Sequence, residues 1–309
     1  MKFVKNGFLL VFGLVLVVSL AACGAKKESG AKEESYTPKE LTVQFVPTIE
    51  ANTIEAKAKP LEKLLSDELG IPVKVTVSTD YNTIIEAMAS KQTDVGIMPP
   101  NAYVLGHEQE AADAILQAQR FAIKQPGGET STELADGYRA MVVVKKGSPI
   151  KNLKDLKGKK IAAQDVVSAS GYVFPVAEMQ KAGINVDKEI QFATVKGIDA
   201  GLMAVLDGSV DAAFSFEDGR NLLKKDLPDV FDKLDAMYFT EAKIPNDAIA
   251  VRPDLSDKWK TKVQDAFVAI GKSDKGRELI SSLYAHEGYV PADDSSFDIV
   301  REYAKEVGQ

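Results

Sequence analysis

Residues Ile161–Pro175 read IAAQDVVSASGYVFP, an apolar run that ends in two small hydroxyl residues and a glycine. A helical pattern over Val173–Ala182 follows directly, so the stretch predicts a strand, a tight turn and a helix N-terminus. Such a terminus presents unpaired backbone N–H groups and a partial positive charge, which suit an anion. Ser168 and Ser170 can donate O–H groups to an anion, or they can simply cap the helix. The turn is therefore a candidate anion site, with capping as the alternative.

Alternating strand and helix patterns surround this turn on both sides. In the first half the predicted elements are Leu41–Val46, Thr53–Leu69, Val73–Ser78, Tyr81–Ser90 and Asp94–Met98. In the second half they are Tyr138–Lys145, Lys159–Gln164, Val173–Lys181, Ile190–Val195, Asp199–Leu206 and Asp211–Phe216. This rhythm is typical of an α/β fold with mainly parallel sheets flanked by helices.

Other segments are predicted less directly from their patterns. Ile115–Lys124 is expected to be a strand, and the glycine- and threonine-rich Gln125–Asp136 a loop. Glu217–Leu227 is predicted to be helical up to Pro228, and Lys258–Val307 is predicted to be helical throughout.

A sequence pattern that occurs twice indicates that the chain forms two similar lobes. Ala87–Ile97 and Ala204–Phe214 each combine the end of a helix, a short polar turn, an aspartate and small apolar strand residues. We predict one lobe from residues 40–136 plus 248–309 and another from residues 137–247, joined by a two-strand hinge. The default ligand site of such a protein is the cleft between lobes, outside the carboxyl ends of the strands.

The N-terminus has the pattern of a targeting segment. Two lysines, the apolar run Gly7–Leu20 and the small residues before Cys23 resemble the signal peptide and lipobox of bacterial lipoproteins. We expect residues 1–22 to be removed, Cys23 to be lipidated and polar residues 23–39 to form a flexible tether. A membrane span is the alternative, but the run is shorter than the ~20 residues that a span needs. The expected location is the outer face of the cytoplasmic membrane, on the cell surface or the periplasmic side.

Charge argues against nucleic acid as a partner. The full chain carries a formal net charge of −7, and removal of Lys2 and Lys5 with the signal peptide takes it to −9. The densest basic stretch, Lys157–Lys160, is too short to outweigh this excess.

Four stretches in order along the chain resemble one known family. They are Asp80–Met88, Gly137–Lys145, Ser168–Pro175 and Ile244–Asp247, and the likeness spans most of residues 40–290. The family is that of phosphonate-, phosphite- and phosphate-binding proteins, which are solute-binding lipoproteins of ABC importers with the type II periplasmic-binding-protein fold. The resemblance implies a small phosphonate-like ligand, a membrane permease with its ATPase as partners, and a monomer without a cofactor.

The resemblance also implies a ligand site made of tyrosines, turn residues and acids: Tyr81, Tyr138, Ser168, Ala169, Ser170, Asp218 and Asp247. Ala169 stands where the family usually has threonine, and Ile198 where histidine is expected. Each departure removes a hydrogen bond to a charged group, on the order of 1.5–3 kcal/mol. Because the acidic end is intact while the anion-binding end is weaker, we expect an amine-bearing ligand such as an aminoalkylphosphonate. Core tyrosines and a turn-capping aspartate are the structural alternatives.

Other functions remain open at this stage. A vitamin, amino-acid-like or nucleoside-like solute would fit the more apolar pocket, and a sensor domain would share the same scaffold. A hydrolase is disfavoured because no nucleophile–base pattern is found, and His107 and His286 lack metal-ligand spacing. The sequence therefore predicts a binding protein with no catalytic residues and no metal.

Overall fold

The computed structural model describes residues 35–46, 51–125 and 127–309, with backbone only for residues 51–58. The predicted signal peptide, Cys23 and most of the predicted tether lie outside this part. Within it, no helix combines the length and the apolar character that a membrane span requires.

The strands are β1 Leu41–Phe45, β2 Val73–Val77, β3 Val95–Met98, β4 Asp113–Lys124, β5 Glu129–Ala135, β6 Gly137–Tyr138, β7 Ala140–Lys145, β8 Lys160–Ala163, β9 Gln191–Thr194, β10 Ala212–Phe216, β11 Leu234–Phe239, β12 Ile244–Pro245, β13 Ala248–Val251 and β14 Gly288–Pro291. The helices are α1 Ala51–Leu69, α2 Tyr81–Ala89, α3 Pro100–Glu108, α4 Phe174–Lys181, α5 Val186–Glu189, α6 Ile198–Asp207, α7 Val230–Lys233, α8 Asp257–Lys272, α9 Asp274–Tyr284 and α10 Asp298–Glu306. A π-helical turn, Ala169–Val173, leads into α4.

Two sheets form the cores of two lobes, as the sequence predicts. The first lobe is built on a seven-stranded sheet with the order β14-β4-β13-β3-β1-β2, in which β5 pairs with β4. The second lobe is built on a five-stranded sheet with the order β11-β7-β10-β8-β9. Apolar side chains pack the first sheet against α1, α8 and α9, and other apolar clusters lie on both faces of the second sheet. The α/β class with helix-flanked sheets in two lobes is confirmed.

The sheets are mixed, whereas the sequence predicts mainly parallel ones. β1 is parallel to β2 and β3, and β8 is parallel to β9 and β10. By contrast, β13 runs antiparallel to β3 and β4, and β7 runs antiparallel to β10 and β11. The chain enters β7 and β13 from the segments that cross between the sheets, so no helical crossover forces these strands to be parallel.

A short antiparallel pair, β6 with β12, lies where the chain crosses between the sheets. A Cβ atom on Gly137 would come within 2.7 Å of the carbonyl oxygen of Ile244, so only glycine fits this close approach. The pair matches the predicted two-strand hinge, while the predicted lobe boundaries at residues 136/137 and 247/248 stay a prediction.

Three segment predictions are wrong. Residues 125–136 contain β5, an exposed and mostly polar edge strand that has no apolar alternation to reveal it. Residues 217–227 form only one 3-10 turn, because Asp218 adopts a left-handed conformation (φ 56°) that no α-helix continues. The C-terminal helices are interrupted by β14, which follows the left-handed Ala285 and pairs with β4.

A buried ion pair joins β3 to β13 in the first lobe. The Arg252 guanidinium contacts Asp94 at 3.1 Å and Asp254 at 2.6 Å, and it lies 4.0 Å from the ring centre of Tyr36. Asp94 also accepts hydrogen bonds from the backbone N–H and the hydroxyl of Thr42, both at 2.8 Å. Loss of the arginine would leave the carboxylate of Asp94 buried without its cation.

We predict that R252A lowers the free energy of unfolding by about 3–5 kcal/mol, the usual cost of breaking a buried pair from one side. Urea denaturation measures this loss. In the matched control K63A, an exposed 2.8 Å pair with Asp67 is removed, and the expected change is under about 0.5 kcal/mol. Equal stabilities for the two variants would contradict the role of the buried pair.

Candidate ligand-binding site

A cleft of about 1570 Å³ lies between the two sheets. All seven residues that the sequence singles out line it: Tyr81, Tyr138, Ser168, Ala169, Ser170, Asp218 and Asp247. The first lobe, the β6–β12 crossing and the second lobe each contribute some of them. The structure therefore brings the predicted residues to one cavity, and their contacts indicate what each can offer a ligand.

The turn after β8 is built as a helix start. The Ser168 hydroxyl accepts a hydrogen bond from the backbone N–H of Gly171 at 3.2 Å and donates one to Oε1 of Gln164 at 3.1 Å. Gly171 leaves no room for a side chain, since a Cβ atom there would lie 2.7 Å from Gln164. Ser168 thus acts as a cap, which was the structural alternative for this residue. The next backbone N–H groups, of Ala169 and Ser170, are at the helix N-terminus, where intrahelical acceptors are lacking.

Two tyrosines face this turn. Tyr81 interacts with the Ser168 hydroxyl and Tyr138 with the Ser170 hydroxyl, and both rings pack with Ala169 in one apolar cluster. Burial raises the pKa of Tyr81 to about 12 and raises that of Tyr138 further above its usual value. Both phenols are therefore protonated at neutral pH and can donate a hydrogen bond to an anion.

The acids of the second lobe already have cationic partners. Asp218 forms a two-point ion pair with Arg220, at 2.8 and 3.1 Å, and both side chains are buried. Glu217 pairs with Arg139 at 2.6 Å. Gln125, from the β4–β5 connection, reaches both acids at 3.2 and 3.4 Å. Asp218 thus belongs to a structural ion pair at the wall of the cleft and is not a free carboxylate.

Asp247 is likewise paired, with residues distant in sequence. Its Oδ2 atom accepts hydrogen bonds from Nη2 of Arg120 at 3.1 Å and from Nε2 of His286 at 3.0 Å. Burial opposes the charged form, but the guanidinium of Arg120 and the hydrogen bond from His286 hold the pKa of Asp247 below its usual value. Burial lowers the pKa of His286, against the opposing effect of Asp247, so the ring is neutral at pH 7.

Sequence reasoning missed the partners of these acids: Arg120, Arg139, Arg220 and His286. Arg220 stands two residues from Asp218, so local spacing offered a signal for that pair. Arg120 and His286 lie 127 and 39 residues from Asp247, so only the tertiary fold brings them together. Ala169 and Ile198, the two departures from the family pattern, are both buried and line the cleft, which makes its wall locally apolar. In the described part of the chain, no group of three or more His, Cys, Asp or Glu side chains could hold a metal ion.

Comparison with known proteins agrees with this architecture. The chain is 26% identical to the phosphate-import protein PhnD of Mycolicibacterium smegmatis, over 95% of this chain and 94% of that protein. It is 24% identical to the phosphonates-binding periplasmic protein of Escherichia coli K12, over 79% of this chain and 70% of that protein. The structure of PhnD1 from Prochlorococcus marinus in complex with methylphosphonate shares the fold, with a TM-score of 0.71, 18% identity and coverage of 88% and 99%.

One known protein family matches most of the chain that the structure describes. The family described as "ABC transporter, phosphonate, periplasmic substrate-binding protein" matches residues 43–297. The match includes every residue of the cleft discussed above. The chain therefore belongs to the family of periplasmic substrate-binding proteins of phosphonate ABC transporters.

Proposed function

We propose that this protein captures a small phosphonate- or phosphate-type oxyanion in the cleft and delivers it to an ABC permease. The observation that carries the ligand class is the turn at Ser168–Gly171, where backbone N–H groups, the Ser170 hydroxyl and the phenols of Tyr81 and Tyr138 converge. Such donors fit the oxygens of a tetrahedral anion. Similarity to a phosphate-import protein and to a phosphonates-binding protein supports the same class. A solute without phosphorus, left open by the sequence, is not favoured by the family match.

Capture is proposed to include closure of the lobes. The cleft volume of about 1570 Å³ exceeds the roughly 300–1,000 Å³ of ordinary small-molecule pockets. A small phosphonate would leave much of this space filled with water. Rotation about the β6–β12 crossing would expel that water and enclose the ligand.

An amine-bearing ligand stays a prediction from the sequence, and the ion pairs of Asp218 and Asp247 argue against it. A ligand ammonium would have to share Asp218 with Arg220 and Asp247 with Arg120, each of which already compensates the carboxylate. The gain from a second cation at a compensated carboxylate is small.

Family membership places the protein outside the cytoplasm and describes a solute-binding subunit. The finer assignments remain proposals. We propose lipidation at Cys23 after removal of residues 1–22, anchoring by the tether, action as a monomer with a permease and its ATPase, and no catalytic activity. The lipobox pattern supports the anchor, and the acidic net charge disfavours nucleic acid.

We predict that S170A weakens binding of methylphosphonate at least several-fold, because a hydroxyl donor to a charged group is lost while the fold is kept. Isothermal titration calorimetry measures the dissociation constant. The matched control is S90A, since Ser90 is exposed at the end of α2, outside the residues that line the cleft. Unchanged affinity in S170A would remove the turn from the site. Absence of binding by the unaltered protein to phosphate, phosphite and methylphosphonate would overturn the proposed function.

A further inference from the structure

Arg120 is a cleft-lining cation whose donors are only partly used. It projects from β4, and its Nη2 atom is bonded to Asp247 at 3.1 Å. Its buried Nε atom has no hydrogen-bond partner among the described residues. A guanidinium carries five N–H donors in a planar fork that matches oxyanions. A buried donor without a partner costs free energy unless a ligand or water satisfies it.

The position of Arg120 puts these donors at the anion end of the cleft. Its guanidinium carbon lies 5.4 Å from the ring centre of Tyr138, the phenol that interacts with Ser170. The side chain is about one-fifth exposed, so a ligand can reach it while the surrounding dielectric is low. A basic group thus lies next to Tyr138, the phenol that contacts the turn at Ser168–Gly171.

We propose that Arg120 binds the ligand oxyanion directly and that Asp247 and His286 are positioning residues that hold its guanidinium. Asp247 is an acceptor only, so the neutral ring of His286 must donate from Nε2, and its Nδ1 atom then accepts from the Tyr289 hydroxyl at 3.4 Å. These buried hydrogen bonds hold the side chain of Asp247 in place, and Asp247 in turn holds the guanidinium of Arg120. The inference rests on the proposed oxyanion function and specifies it further.

The consequence is selectivity against an amine. Asp247 is committed to Arg120, and a ligand ammonium near that carboxylate would also face the guanidinium at close range. Like charges at that distance repel. The inferred ligand class is therefore a phosphate, phosphite or alkylphosphonate without a cationic tail.

The first test uses the unaltered protein and needs no variant. Calorimetry compares methylphosphonate with 2-aminoethylphosphonate, and we expect methylphosphonate to bind about tenfold or more tightly. Equal affinities, or tighter binding of the amine, would overturn the inferred selectivity while leaving the oxyanion function intact. If neither compound nor phosphate binds, the proposed function itself fails.

The second test is R120Q, which keeps a hydrogen-bond donor for Asp247 but removes the charge. We expect about a tenfold or larger loss of affinity for methylphosphonate and a smaller loss, or a gain, for 2-aminoethylphosphonate, because the Asp247 carboxylate loses its compensating guanidinium and can pair with an ammonium. The control K146Q removes one positive charge outside the cleft, where Lys146 pairs with Asp235 at 2.7 Å, and should leave both affinities unchanged.

Equal effects of R120Q and K146Q on methylphosphonate would overturn the role of Arg120. An equal loss for both ligands in R120Q would overturn the selectivity mechanism. Thermal unfolding of each variant separates loss of binding from loss of fold. If R120Q does not fold, R120K keeps the charge but loses the planar fork, and we expect intermediate affinity for methylphosphonate; undiminished affinity would contradict direct binding by the guanidinium.

Discussion

The carboxylate of Asp247 imposes the constraint on which the site depends. A buried charge is tolerated only when it is paired and hydrogen-bonded. Asp247 stands between β12 and β13, at the crossing between the lobes, and its partners come from β4 and from the segment after α9. One buried carboxylate thus holds Arg120, which lines the cleft, and His286, which is fully buried. The guanidinium is thereby held beside Tyr138, at the end of the cleft formed by the turn after β8.

Charge compensation also governs the rest of the cleft. Asp218 and Glu217 are paired with Arg220 and Arg139, so the acids contribute shape and rigidity more than net negative potential. The donors that remain for a ligand are hydroxyls, phenols, backbone N–H groups and the unused guanidinium N–H groups. This set suits an oxyanion, and it accounts physically for how the site could bind one despite alanine at position 169 and isoleucine at position 198.

Periodicity in the sequence was sufficient to predict most of the fold. The strands that became β1, β2, β3, β8 and β10 have apolar runs bounded by turn residues, and the helices between them have apolar faces. β5 was not predicted because an edge strand needs no apolar alternation. The helix predicted over residues 217–227 does not form because Asp218 adopts a left-handed backbone, and its side chain pairs with Arg220. The helix-start pattern singled out Ser168 and Ser170, and the family resemblance supplied the other five residues that line the cleft. They could not reveal the long-range pairing of Asp247 with Arg120 and His286, which changes the expected ligand chemistry.

The central claim is that the turn at Ser168–Gly171 and the Arg120 guanidinium bind the same oxyanion. A crystal structure of the protein soaked with methylphosphonate tests it most directly. We predict phosphonate oxygens within about 2.7–3.2 Å of the Ser170 hydroxyl, of the backbone N–H groups at the start of the turn and of the Arg120 guanidinium. A phosphonate bound elsewhere in the cleft, or bound at the turn with the guanidinium beyond hydrogen-bonding distance, would contradict it.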